Sequence, residues 1–456
     1  MNCKFFFLII ALFYVGQITA QNKHEVQRIT TRGGQIPDND ATYRPYIIAV
    51  QVSGLPDKID ARFGLERVCL NITHDRISDL KIELISPDST SIWVTNRNGG
   101  DNGKNYLETC FADNGFSGHL YENKAPYVGT YIPDGKINDF NNNQNPNGTW
   151  YLVVQDLLID VEGTIDYVHL DFGNQPPKEA YTPCNTNNPT ACACPKRKSK
   201  KCELLPDLII GARMTEIQFQ EYSTTDKYYP RQVRLAVATP NIGFGPLETQ
   251  GTGNWICDGK PVDGPIRCPN GQNARQYLDQ IIYYKKKGKI STYRKRAGTN
   301  YFDSSRGHNH FHADDWIEIT LRNKIEGEPD ARKWPVLSIG HKVSYCLFDS
   351  GNCTDENQMC QDGDNGYKSV QNLPNYGFGH YIKCESNLQG ISVGGIDHYG
   401  QSFEGQYVTI PENTCNGQYY LVVEVDPTNK FKESDETNNV FVMPIKLQLQ
   451  QICTEK

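Results

Sequence analysis

The stretch Leu80-Lys81-Ile82-Glu83-Leu84-Ile85-Ser86-Pro87 sets the architecture. Leu80, Ile82 and Leu84 alternate with Lys81 and Glu83, the two-residue period of a strand with one buried face and one wet face. Gly148–Asp156 (GTWYLVVQD) and Ile165–Gly173 (IDYVHLDFG) repeat the pattern between turn-rich segments. Many short strands, Gly/Asn turns and almost no helical periodicity predict an antiparallel sandwich. Strand-like runs return downstream at LPDLII (205–210), RQVRLAVATPN (231–241), DDWIEITL (314–321), HKVSYCLF (341–348) and QYYLVVEVD (418–426). One stretch, Ala274–Lys286 (ARQYLDQIIYYKK), reads instead as a short amphipathic helix. The expected class is all-β, with two β-sandwich domains.

Between the two regions lies QPPKEAYTPCNTNNPTACACPKRKSKKC, from Gln175 to Cys202. It has four cysteines (Cys184, Cys192, Cys194, Cys202), several prolines, the basic run KRKSKK and no apolar periodicity, so it reads as a cysteine-rich linker. Its basic run would suit a protease or a polyanion, but a solvated linker accounts for it. The expected division is residues 1–20 a signal peptide, 30–175 a first domain, 176–204 the linker and 205–450 a second domain. At 456 residues, two or three domains are the prior. With 46 basic and 53 acidic residues the chain carries a net charge of −7, which gives no support to a nucleic-acid partner. Abundant aromatic residues exclude disorder throughout.

The cysteines point to a compartment. Lys4 precedes the apolar run Phe5–Val15, and a small residue, Ala20, follows it, the pattern of a secretory signal. Eleven residues are too few to span a bilayer, and no later run approaches that length, so no membrane span is expected. Cleavage after Ala20 would remove Cys3 from the 15 cysteines and leave 14, an even number suited to disulfides in an exported chain. The expected location is secreted, extracellular or periplasmic.

The strongest chemical signal is His308-Asn309-His310-Phe311-His312. On a strand, residues i, i+2 and i+4 face one side. The outer Cα atoms would stand about 13 Å apart at roughly 3.3 Å per residue. An imidazole reach of about 6 Å plus a bond of about 2 Å lets all three converge on one ion. Three nitrogens with an open position suit Cu(II) or Zn(II), and copper has the higher intrinsic affinity. Asp315 is a candidate for orienting a ligand imidazole.

The first region, residues 40–175, resembles the P domain (Homo B domain) of proprotein convertases, through NITHDRISDLKIELISPDST, GGDNGKNYLETCFADN, APYVGTYIPDG and NPNGTWYLVVQD…GTIDYVHLDFG. The resemblance implies a jelly-roll-like sandwich that assists folding, stability or attachment and is not itself catalytic. Asp101 and Asp113 stand where related domains hold calcium; turn-forming aspartates are the other reading. Cys69 and Cys110 are the only cysteines of the region and should pair.

The second region resembles the lysyl oxidases from about Leu205 to Leu447. HNHFHADDW (308–316) is similar to that family's HxHxH copper motif, GHKVSYCLFDSGNC (340–353) to its cofactor-lysine segment, QGISVGGIDHY (389–399) to its cofactor-tyrosine segment, and the ESDETNN within 419–440 to its ending. The resemblance implies copper on His308, His310 and His312, and lysyl tyrosylquinone made from Lys342 and Tyr399. It implies oxidative deamination of primary amines, lysine-containing proteins among them, with O2 as oxidant. Asp397, two residues before Tyr399, is the candidate base. Gly307 and Gly395 stand where animal relatives carry cysteines, which leaves Cys384 to find another partner; Cys360 is one choice. Cys257 with Cys268 and Cys415 with Cys453 are further pairings to test. The competing reading is a non-catalytic extracellular metal-binding or adhesion protein.

Overall fold

The computed structural model describes residues 24–39, 44–100, 102–178, 184–196, 199, 201–305, 307–354 and 357–453. The signal-peptide reading and Asp101 lie outside them. The chain is all-β, as the alternation predicts, with one short α-helix, Ala212–Ile217, and six single-turn 3-10 helices among the described residues. Among the described residues no helix is long and apolar enough to cross a membrane.

The first region folds as two sheets over one core. One sheet orders its strands Val26–Arg32, Gly163–Gly173, Gly64–His74, Tyr106–Phe111 and Tyr127–Tyr131. The other orders Tyr46–Val52, Gly148–Asp156, Leu80–Ile85 and Ser91–Asn96. Leu80, Ile82 and Leu84 are fully buried in the shared core, beside Trp150, Leu152 and Val154. The inward half of the quoted alternation therefore faces the other sheet. The outward half does not face water: Lys81 is only 7% exposed, because that face packs on the second region.

The second region gathers several sheets around Trp316, Tyr345 and Leu421. Its largest sheet runs Lys260–Val262, Leu247–Cys257, Arg275–Lys286, Lys289–Asp303 and His310–Ala313. The helix expected at Ala274–Lys286 is thus a strand, Arg275–Lys286, paired on one side with Leu247–Cys257 and on the other with Lys289–Asp303. Its middle, from Leu278 to Ile282, is buried on both faces, which erases the two-residue period. A four-stranded sheet, Val336–Ile339, Ile317–Arg322, Gly417–Val425 and Val440–Leu447, packs beneath.

All 14 cysteines after Cys3 are paired: Cys69–Cys110, Cys184–Cys192, Cys194–Cys202, Cys257–Cys268, Cys346–Cys384, Cys353–Cys360 and Cys415–Cys453. The suggested Cys360–Cys384 pair is not formed. Cys384 reaches Cys346 behind the lysine segment, and Cys353 closes a short loop with Cys360.

Candidate metal and quinone site

The hairpin between Lys289–Asp303 and His310–Ala313 carries the histidines. Its register sets His312 across from Tyr301 and His310 across from Asp303. Three ring nitrogens converge: His312 Nε2 lies 2.9 Å from His310 Nε2 and 3.2 Å from His308 Nδ1. At metal–nitrogen bonds of about 2.0–2.1 Å, those separations subtend about 90° and about 100° at a shared ion. The donor set therefore fits one copper or zinc ion with positions left open. His308 is not on the strand; the turn brings it round, which relieves the reach a flat strand would demand.

Burial keeps the imidazoles neutral, the form that ligates a metal. It lowers His308 to about 4, with Lys342 adding to the effect. His310 and His312 fall well below the usual histidine range for the same first reason, with Lys81 the next cause at His310 and Lys342 at His312. Asp303 Oδ2 lies 3.5 Å from His312 Nδ1, the nitrogen turned away from the cluster, and 3.4 Å from His308 Nδ1, a nitrogen of the cluster itself; Tyr301 Oη stands 3.4 Å from His312 Nδ1. Asp315, the residue expected to orient a ligand imidazole, instead pairs with Lys430. The signal that finds Asp303 is the hairpin register, invisible until the two strands are paired.

Lys342 and Tyr399 meet beside this cluster. Lys342 Nζ lies 5.7 Å from the centre of the Tyr399 ring and 5.1 Å from that of Tyr345. Burial lowers its pKa to about 8. Gly405, at φ +76°, lets the chain pass close by: a Cβ there would stand 2.9 Å from Lys342 Cβ. Tyr399 sits on the strand Gly395–Tyr399, its hydroxyl donating to the Cys346 carbonyl and its ring edge-on to Tyr345 at 4.7 Å. Asp397 shares the Tyr399 face of that strand. Both its carboxyl oxygens are buried with no hydrogen-bond partner among the described residues, and burial holds its pKa well above the carboxylate range.

The histidines, Lys342 and Tyr399 line one cavity of about 400 Å³. Part of its wall comes from the first region, in Trp93, Arg97 and Leu157. Motif reading did not single out these residues. A second cavity, of about 590 Å³, is also lined by Trp93, His308 and His310. Asp113 is elsewhere, and its two carboxylate oxygens accept the Ile137 and Asn138 backbone N–H groups at 2.6 and 2.9 Å, a loop-capping arrangement.

Residues 66–172 match the family model for the proprotein convertase P-domain, and residues 285–456 match that for lysyl oxidase. Human protein-lysine 6-oxidase is 29% identical over 133 residues, 29% of this chain and 25% of the relative. Human lysyl oxidase homolog 1 is 32% identical over 134 residues, 29% of this chain and 18% of the relative. The chain thus spans a quarter or less of the length of these curated relatives. Among solved structures, a serine protease of Aeromonas sobria in complex with its chaperone covers 34% of this chain and 27% of its own, at 18% identity and a TM-score of 0.20. The two family-model matches follow one another along the chain, so residues 66–172 are similar to a proprotein convertase P-domain and residues 285–456 to a lysyl oxidase.

Proposed function

We propose that this chain is an exported, copper-dependent amine oxidase that turns a primary amine, R–CH2–NH2, with O2 and water into the aldehyde R–CHO, NH3 and H2O2. One observation carries the reading: Lys342 and Tyr399 share a cavity with three histidine nitrogens already at ligand separation. His308, His310 and His312 would hold copper, and Lys342 and Tyr399 would be joined as lysyl tyrosylquinone. Together the metal and the quinone supply two-electron oxidation of the amine and reduction of O2, which no ordinary side chain provides.

The chain's own groups suit the remaining tasks. Lys342, lowered toward neutrality, offers an unprotonated amine for joining to the Tyr399 ring, and its flexible stem can close the remaining gap. Tyr345 and the Cys346 carbonyl fix that ring. Asp397, on the Tyr399 face of its strand, is the candidate to take up the proton from the substrate carbon in its ionised form, which burial makes the more basic. Glu404 lines the cavity beside His308 and favours entry of a cationic amine such as a lysine side chain. Trp93, Tyr229, Phe403 and Tyr407 offer apolar surface to its methylene stem. Seven disulfides support an oxidising compartment.

Peptide mass spectrometry of copper-loaded protein should find Lys342 and Tyr399 peptides covalently joined. Lys342→Arg should abolish both the joined peptide and H2O2 release while copper stays bound. Copper-loaded wild type with neither joined peptide nor peroxide would leave the non-catalytic metal-binding reading.

A further inference from the structure

The polar face of the strand Leu80–Ile85 docks against the histidine hairpin. Lys81 Nζ donates a 2.7 Å hydrogen bond to the carbonyl of Gly307, the residue next to His308. The same ammonium lies 4.7 Å from the centre of the Trp93 ring, and Trp93 in turn stands 6.0 Å from His310 and 4.9 Å from Phe348. Leu157, also of the first region, closes on Gly307 so tightly that a Cβ there would meet its Cδ1 at 3.0 Å. Gly307 itself has φ +75° and Asn309 φ +59°, so the segment holding the first histidine has little regular structure of its own.

Lys81 has no ion-pair partner among the described residues; its partners are a carbonyl and an aromatic face. A buried cation without a carboxylate is costly, and its position is explained by what it holds.

We infer that the first sandwich is part of the metal centre: Lys81 and Trp93 are positioning residues that clamp the Gly307–His310 segment and so set the geometry of the histidine site. Neither residue touches the metal. Both act through the backbone and ring of its ligands, the kind of outer contact whose loss commonly weakens metal binding by about 10–100-fold. The inference rests on the proposed metal site only for its consequence; the clamp can be tested without metal.

The test uses the full chain as wild type, Lys81→Met, Lys81→Arg and Trp93→Phe. Hydrogen exchange on metal-free protein reads the segment 304–311 directly, and copper titration with the electron paramagnetic resonance spectrum of bound Cu(II) reads the site. Lys81→Met should speed exchange in that segment alone, raise the copper dissociation constant about tenfold and alter the copper hyperfine splitting. Lys81→Arg, which can still donate to Gly307, should restore most of each. Trp93→Phe should give a smaller change in the same direction, and covers the case in which Lys81→Met fails to fold. Unchanged exchange in both Lys81→Met and Trp93→Phe overturns the clamp, as does faster exchange with copper affinity within twofold of wild type. Wild type that binds no copper would instead sink the proposed oxidase, while the exchange comparison would still decide the clamp.

Discussion

Lys342 is lowered to about 8 by burial, so its neutral fraction grows as pH rises through that value. If attack by the neutral amine limits joining to Tyr399, the rate should rise up to about tenfold per pH unit below 8 and level off above it. Following the joined peptide after copper addition at pH 6, 7, 8 and 9 checks this; a flat profile removes Lys342 ionisation from the rate-limiting step. Asp397 poses the reverse case. Burial raises its pKa and disfavours the ionised form, so Asp397→Asn, neutral and of the same shape, should leave thermal stability nearly unchanged. As the base, however, it should be worth about 100-fold or more in kcat, measured on protein already carrying the joined residues. The histidine spacing is readable in the sequence because three equal residues at alternate positions are rare. Asp303 and Trp93 are not, because Asp303 becomes a neighbour of the site only through the register of the hairpin and Trp93 only once the first region docks on the second.

At the level of elements, the strand Leu80–Ile85 shows what alternation can and cannot reveal. It identifies the strand and its core face: Leu84 is fully buried, and Leu84→Ala should cost roughly 2–5 kcal/mol in chemical denaturation. It says nothing about what covers the other face, and Lys81 looks like a solvent residue until the second region is placed over it. Arg275–Lys286 fails differently. Pairing on both edges and burial on both faces leave Tyr277, Leu278, Ile281 and Ile282 around the buried polar pair Asp279 and Gln280, a spacing that imitates a helix, and the β-branched and aromatic residues Ile281, Ile282, Tyr283 and Tyr284 are the local evidence that favours a strand. The resemblance to two families carried the order of the two regions, but the departures at Gly307 and Gly395 hid the disulfide pattern. At Gly395 a Cβ would collide with Asp349 Oδ1 at 2.2 Å, so no side chain fits there without rearrangement.

For the whole molecule, metal binding and folding should be linked. An ion held by the folded state at a thousand times its dissociation constant adds about 4 kcal/mol to stability. Copper should therefore raise the melting temperature of wild type, and removing it with a chelator should reverse the gain. His312→Ala, which deletes the nitrogen common to both short separations, should show neither effect in a calorimetric scan.

Every disulfide closes within its own part of the chain, and none joins the first sandwich to the second region. The seam that carries Lys81, Trp93 and the histidines is held by packing, hydrogen bonds and ion pairs such as Lys227–Asp160, with no disulfide across it among the described residues. Under mechanical load the junction without a covalent cross-link is then the one lined by the proposed catalytic groups. Pulled between its ends, the chain should part at this seam before either cross-linked body unravels. Tension would disassemble the site while leaving both bodies intact, and relaxation would allow them to dock again.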